Sequence, residues 1–583
     1  MSPYDDSSAG DTEAFSSNTI RQIDATYTSN AKQQDGPSTY SKAVEGSSNN
    51  DILRIIPSNE RAKMAFDDLV RRKLSGTLNK HHSQYIVTTR KGPLERSTIY
   101  QSRPKDETSG EEASEERESE KEIHHGYYCV TFECRPCTTG FKFVLGRGSG
   151  KKFGAMRNVD ILLAAPKTEY SVQLKAAHAV LGIHPMSGAW MLYTPDDNSS
   201  TSSVAPLDDP PGSRGSRGSQ RSLDAAVRLY DEDLTYNGSR PLSRVRTNLE
   251  IGRLRYDVLF TITEPAQEAL YRETRDKILR AAFVEVPRTT ISGIPFDIDG
   301  STKTAVFRLG LGSGSFGRVY EGFDRRTGDL RVVKKITLDN KDQRPLVECE
   351  IKANYLFNNF EGIVTLYECS NSEGGEGATA QKYPFDVFLV LEKGISFNTY
   401  AWNAESPVDW GLRSILLRQL LQALTVIHRQ DCMHRDITPM NILYFEPDRA
   451  GFCDFGKICY SKTDTDTALA AWCWLPPEIK VHEKNVYDQK IDIWMLGITI
   501  LHSWYPQVLK GLRYRHQGDY VRICDGLKAQ GHSGLDGLLL KMISWDANCR
   551  PSAQEAVNDP CLVKTFHKQP ESAKSSDRKR LQA

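Results

Sequence analysis

The chain has 583 residues, enough for about three or four domains. Its 75 Lys and Arg balance 75 Asp and Glu, which excludes a protein that holds nucleic acid through its overall charge; no direct nucleic-acid partner is expected. No apolar run approaches the roughly 18 residues of a membrane-spanning helix, so no membrane partner is expected either. The opening MSPYDDSSAG lacks the basic-then-apolar layout of a secretory signal, and the 12 Cys are too sparse for a disulfide scaffold. They are expected as reduced thiols, in the cytoplasm, the nucleus or both.

Residues 1–50 are polar without apolar period and are expected to be disordered. Residues 51–126 read as a partly helical stretch, with one helix between Ile52 and Leu74, followed by a solvated acidic linker rich in Glu and Ser. From 127 to 263, short apolar runs alternate with turns, the pattern of a β-sandwich or barrel. A Ser/Pro/Gly/Arg-rich stretch at about 196–222 interrupts it as a loop. Residues 264–303 hold a connecting helix with Glu/Arg pairs, then a linker. Residues 304–566 read as one large α+β domain, and 567–583 as a basic, disordered tail.

Within the large domain, Gly312, Gly314 and Gly317 form G-x-G-x-x-G, a pattern shared with dinucleotide-binding turns. Here the glycines lie between two strand-like runs rather than between a strand and a helix. Such a loop can lay its N–H groups over phosphates where a Cβ would obstruct. Further motifs follow in order: Lys334 in RVVKKI, Glu350 in VECEIKANYLF, HRDITPMN from His434 to Asn441, Asp454–Gly456, PPE ending at Glu478, DIWMLG from Asp492, and Arg550. In these motifs the domain resembles the protein kinase family.

The resemblance implies a bilobal α+β fold with ATP and Mg²⁺ as cofactors and a protein substrate. It implies that Lys334, paired with Glu350, holds the α- and β-phosphates, and that Asp454 and Asn441 ligate Mg²⁺. Asp436 would accept the substrate hydroxyl proton. Leu311, Val319, Val332, Leu391 and Leu443 would line the adenine slot, Glu392 to Gly394 would form the hinge, and Glu478 and Arg550 a structural pair. Two positions depart from the family. Serine/threonine kinases usually carry Lys two residues after the catalytic Asp, where this chain has Thr438; tyrosine kinases typically carry Arg two or four residues after it, and Met440 is not basic. The usual Thr before the PPE motif is replaced by Ala471. The expected activity is transfer of the ATP γ-phosphate to protein hydroxyls, by default Ser/Thr, with Lys457 the nearest basic residue able to replace the missing lysine. The alternative is a catalytically weak or dead pseudokinase acting as a nucleotide- and phosphopeptide-binding scaffold. Arg435 is expected to pair with the segment SKTDTDT, whose Ser461, Thr463, Thr465 and Thr467 are candidate phosphosites and whose Asp464 and Asp466 already carry charge. Cys453, beside Asp454, is expected to face the nucleotide pocket, either as an electrophile-reactive thiol or as an inert one.

Residues 127–263 carry Gly146-Arg147, then Lys175 and His178 in LKAAHAVLGIH, then Asn237-Gly238. Here the chain resembles a divergent forkhead-associated domain, a phosphothreonine-binding β-sandwich. The resemblance implies phosphopeptide binding through Arg147, Lys175, His178 and Asn237, with Lys175 standing where the family has serine. CRPC at Cys134–Cys137 reads as ordinary thiols, because zinc needs further ligands and none lies near in sequence.

Overall fold

The computed structural model describes residues 51–89, 96–100, 118–138, 141–148, 159–194, 227–262, 265–282 and 300–563, apart from 173, 231 and 243 and short breaks at 235–237, 315–316, 379–381, 401, 403–408, 466–471, 480–485, 513–514 and 532–533. The N-terminal part builds two large sheets and a two-stranded pairing of Arg96–Tyr100 with Glu118–Glu122, which lies within the stretch expected as a linker. One runs in the order Glu232–Leu234, Val227–Leu229, Arg246–Ile251, Leu254–Phe260, Leu53–Pro57, Gly126–Val130, Ile86–Thr88; the other in the order Ser239–Pro241, Trp190–Tyr193, Ala179–Ile183, Lys142–Gly146, Ile161–Leu162. Alternate residues of Leu254–Phe260 are buried, the period of a strand with one face on a core. Tyr128, Val130 and Phe260 from the first sheet share that core with Phe143, Leu181 and Trp190 from the second.

The sheet begins earlier than residue 127. Leu53–Pro57 is a strand, not part of a helix, and pairs on both sides, Leu53 opposite Phe260 and opposite Val130. The helix starts only at Glu60, where the Asn59 side chain accepts the Ala62 N–H and ends the extended run. The pairing that turns DILRII into a strand spans about two hundred residues of chain, so no local period records it. The helix expected over 264–283 forms as Pro265–Ala282. It closes the sandwich through Tyr271 and Leu279, with Tyr271 Oη accepting from Trp190 Nε1 at 3.0 Å.

The C-terminal part has two lobes. The smaller is a six-stranded sheet, led by Ala305–Gly314, Gly317–Asp324, Leu330–Leu338 and Phe385–Glu392, with helix Arg344–Phe357 against it. In the larger, Lys490–Trp504 is apolar on nearly every face and therefore runs through the centre, beside Trp410–Arg429. Gly328 lets the turn between two small-lobe strands close on the sandwich: a Cβ there would sit 2.3 Å from Met191 Sδ. Ala189, Met191, Val306 and Phe323 form a small apolar cluster at this contact. Among the described residues, no helix is long and apolar enough to cross a membrane.

Candidate active site

The glycine motif joins two antiparallel strands, with Gly312 opposite Val319 and Gly314 opposite Gly317. Gly317 has φ 141°, and a Cβ on it would lie 2.3 Å from the Lys335 carbonyl oxygen, so only glycine permits the close turn. This is a strand–loop–strand and not the strand–helix of a dinucleotide site.

The next strand places Val332 opposite Leu391 and turns Lys334 inward. Lys334 Nζ reaches Glu350 Oε1 at 2.5 Å and Asp454 Oδ1 at 2.8 Å, whereas Lys335 pairs with Asp386. Burial opposes the Lys334 charge, but the two carboxylates outweigh it and hold its pKa above the usual lysine value. Burial likewise opposes the Asp454 charge, and Lys334 outweighs it, so that carboxyl sits below its ordinary range. The hinge closes the slot from behind. Glu392 gives its N–H to Thr365 O at 3.0 Å, its carboxylate pairs with Arg449, and Gly394 packs where a Cβ would come 2.8 Å from Leu443 Cβ. Leu311 is exposed at the mouth, and Val319, Val332, Leu391 and Leu443 are half-buried.

The segment from His434 to Asn441 hangs from one buried carboxylate. Asp492, with no exposed surface, accepts the N–H groups of His434 and Arg435, each at 2.9 Å, and faces His428 Nε2 at 2.9 Å. Burial opposes its charge, yet these donors hold the Asp492 pKa below the usual value. Arg435 and Asp454 have φ of 63° and 61°. Each such non-glycine residue costs about 1–3 kcal/mol and persists only where its surroundings over-determine it. Asn441 turns its amide nitrogen to Asp436, 2.9 Å from the carbonyl and 3.1 Å from Oδ2, so its Oδ1 is the atom left to act as a ligand. Lys457 Nζ lies 3.5 Å from Asp436 Oδ1, while Thr438 is buried and its Oγ1 has no hydrogen-bond partner among the described residues.

Arg435 gathers the chain around the SKTDTDT segment. Its Nε donates to Lys457 O at 2.7 Å and its Nη1 to Asp464 Oδ2 at 2.6 Å and to Tyr487 Oη at 3.2 Å. Ser461 Oγ donates to Thr463 O, and the Thr465 N–H to Asp464 Oδ1. Thr467, Asp466 and Ala471 lie outside the described residues. Asp464→Asn in phosphatase-treated protein is expected to lower basal turnover about threefold to tenfold, because a neutral amide holds Arg435 less firmly than a carboxylate. Phosphate release or transfer assays check it, and unchanged turnover would show that the pair orders nothing. Arg550, buried, holds Glu478 in a two-pronged pair at 2.6 and 2.7 Å.

Cys453 gives its N–H to Asn441 O, and burial, seconded by Asp454, pushes its thiol far above the ordinary range despite Lys334. The inert alternative is thus the one favoured: intact-mass measurement after treatment with an ATP-site chloroacetamide should find Cys453 unmodified.

In the sandwich, Arg147 Nε donates to Leu174 O at 2.6 Å and its N–H to Lys175 O at 3.2 Å. His178 Nδ1 accepts the Lys175 N–H at 3.1 Å, and His178 itself is buried. Arg147, Lys175 and His178 therefore come together at the end of Lys142–Gly146, with His178 holding the loop from inside rather than facing a ligand. Asn237 lies outside the described residues. Sequence reasoning missed Tyr487, the second partner of Arg435, because no local pattern marks a tyrosine that meets the site only through a two-residue pairing with Thr463–Asp464.

Residues 307–562 match the family model of the protein kinase domain. A serine/threonine-protein kinase of Saccharomyces cerevisiae, KIC1, is 28% identical over 193 residues, 32% of this chain and 17% of that protein. MAP3K epsilon protein kinase 1 of Arabidopsis thaliana is 29% identical over 264 residues, 43% of this chain and 18% of that one. Cyclin-dependent kinase 9 of Danio rerio is 26% identical over 240 residues, 39% of this chain and 63% of that one. The chain thus spans less than a fifth of the length of the first two relatives, and the C-terminal region is a protein kinase domain.

Proposed function

We propose that the chain is an ATP-dependent protein serine/threonine kinase, its N-terminal sandwich a forkhead-associated-like module that tethers it to phosphothreonine-bearing partners. The observation that carries the kinase reading is the meeting of two groups, Glu350–Lys334–Asp454 and Asn441–Asp436–Lys457, where the N–H of Cys453, next to Asp454, donates to Asn441 O. Phosphoryl transfer is catalysed mostly by positioning and charge, so an assembled cluster is what the reaction needs.

Lys334 binds the α- and β-phosphates while Glu350 holds its ammonium in place. The loop from Gly312 to Gly317 covers the phosphates with N–H groups. Asp454 and Asn441 supply hard oxygen donors, a set that fits Mg²⁺, which when bound neutralises phosphate charge. Asp436 orients the substrate hydroxyl and accepts its proton as the oxygen bonds to the γ-phosphorus and ADP leaves. Lys457 brings a cation to Asp436 that the segment itself lacks at Thr438. For the sandwich, support is the meeting of Arg147 and Lys175 at one strand end, where both offer charge-assisted donors to a phosphate. Arg147 is partly engaged by a carbonyl, so a ligand would share it.

Radiolabelled ATP with the full chain and a generic basic protein tests the reading. Phosphoserine and phosphothreonine are expected on acid hydrolysis; phosphotyrosine alone would reverse the acceptor assignment. The scaffold reading is favoured only by the unpartnered Thr438 Oγ1 and predicts nucleotide binding with no label transferred.

A further inference from the structure

The sandwich carries a second cluster of reactive side chains, far in sequence from the kinase motifs. His81 lies on the short helix Lys80–Ser83, Cys137 ends the CRPC turn, and Asp160 precedes the strand Ile161–Leu162. Among the described residues, these are the three whose ligand atoms all lie within 4.8 Å of one another. His81 Nε2 is 3.0 Å from Asp160 Oδ1 and 3.2 Å from Cys137 Sγ. We propose that His81, Cys137 and Asp160 bind a borderline transition cation of the zinc class, with water completing the fourth position on the exposed Cys137 side.

The donor set selects the ion. Imidazole, thiolate and carboxylate are the three side-chain ligands zinc takes, and a thiolate beside an imidazole disfavours the hard cations Mg²⁺ and Ca²⁺. Bonds of about 2.0–2.3 Å at tetrahedral angles separate the donors by about 3.3–3.8 Å. The present separations of 3.0 and 3.2 Å need widen by only a few tenths. Asp160 is set in advance. It has no exposed surface, its Oδ1 accepts the Cys137 N–H at 2.7 Å and its Oδ2 the Val144 N–H at 2.8 Å. Backbone donors behind a ligating carboxylate fix its orientation in this way. The same N–H brings the Cys137 side chain to the carboxylate, so one contact positions two ligands. Without the cation, His81 and Asp160 share a hydrogen bond. With it, the imidazole proton moves to Nδ1, which now faces Gln84 Nε2 at 3.2 Å, and exposed Gln84 turns its oxygen inward.

The expectation that CRPC is an ordinary thiol pair rested on the lack of nearby ligands in sequence. The fold supplies two of them, 56 residues before Cys137 and 23 after it. The consequence is local bracing: Ile161–Leu162 pairs with Lys142–Gly146, the strand just before Arg147, so the cation would stiffen the edge carrying Arg147 and Lys175.

The whole chain, chelator-treated and titrated with Co²⁺, tests this. About one equivalent should bind with a thiolate-to-cobalt charge-transfer band and tetrahedral visible absorption. Cys137→Ser should abolish the charge-transfer band, and both it and His81→Gln should weaken binding at least tenfold, with the melting midpoint of the metal-free protein retained. A folded wild type that shows no thiolate–cobalt band overturns the proposal. So does a band that persists in Cys137→Ser, since other thiols would then hold the ion.

Discussion

Asp436→Asn is expected to lower phosphoryl transfer by about 10³-fold, inside the range of about 10²–10⁴ for loss of a positioned general base. ATP affinity should stay within about threefold, since the Asp436 carboxylate touches Asn441 and Lys457 rather than the adenine slot. The substitution is nearly isosteric, and the new amide oxygen still accepts from Asn441 Nδ2. What it loses is the capacity to take a proton and the charge that draws Lys457. Burial, only partly opposed by Lys457, lifts the Asp436 pKa above the usual carboxylate value, which suits a group that must accept a proton. Single-turnover transfer alongside equilibrium binding of a fluorescent ATP analogue separates the two effects. Transfer within tenfold of wild type would remove Asp436 from the proton's path, and a matching loss of ATP affinity would show that the residue shapes the pocket instead.

The kinase cluster was legible because each of its parts is announced by a short local motif. Lys334, Glu350, Asp436, Asn441 and Asp454 can be found one at a time, and the fold has only to bring them together. The choice of Lys334 over Lys335 was legible through its place in the motif, and the physical reason is strand alternation: Lys334 turns inward to Glu350 and Lys335 outward to Asp386. What could be read only in part was the partner of Arg435. The sequence offers two aspartates and four hydroxyls in one polar run, and it is the pairing of Thr463–Asp464 with Tyr487–Asp488 that presents Asp464. What could not be read were features made by distant segments. Leu53–Pro57 looks like the start of a helix until Phe260 and Val130 flank it, and CRPC looks isolated until His81 arrives from a short helix and Asp160 from the start of a strand. Residues whose role is set by neighbours in sequence are found by pattern; residues whose role is set by register or by loop convergence are not.

Lys457→Ala is expected to cut kcat by about 10²-fold with little change in the KM for ATP, the scale seen when one charged or hydrogen-bonding group aimed at the transition state is removed. Lys457 Nζ is 3.5 Å from Asp436 Oδ1, beside the residue that the missing family lysine would accompany, and both side chains are mostly shielded from water. Shielding matters, because an exposed pair at this distance contributes less than about 1 kcal/mol, whereas a charge facing a developing γ-phosphate in a dry site is felt strongly. Position 438 lies on the same segment, two residues beyond Asp436, and holds a buried hydroxyl without a partner, so a longer side chain there gives up no hydrogen bond. Thr438→Lys in the Lys457→Ala protein should therefore restore most of the lost turnover, and in the wild-type background it should leave turnover intact or raise it. Melting midpoints show whether each variant folds, since Thr438→Lys must fit a lysine stem into a closed space. If Lys457→Ala stays within threefold of wild type, Lys457 is a surface cation that merely lies near Asp436. If the folded double variant is no more active than Lys457→Ala alone, the charge at 457 acts from a direction that 438 does not reach, and the substitution of one lysine for the other is wrong.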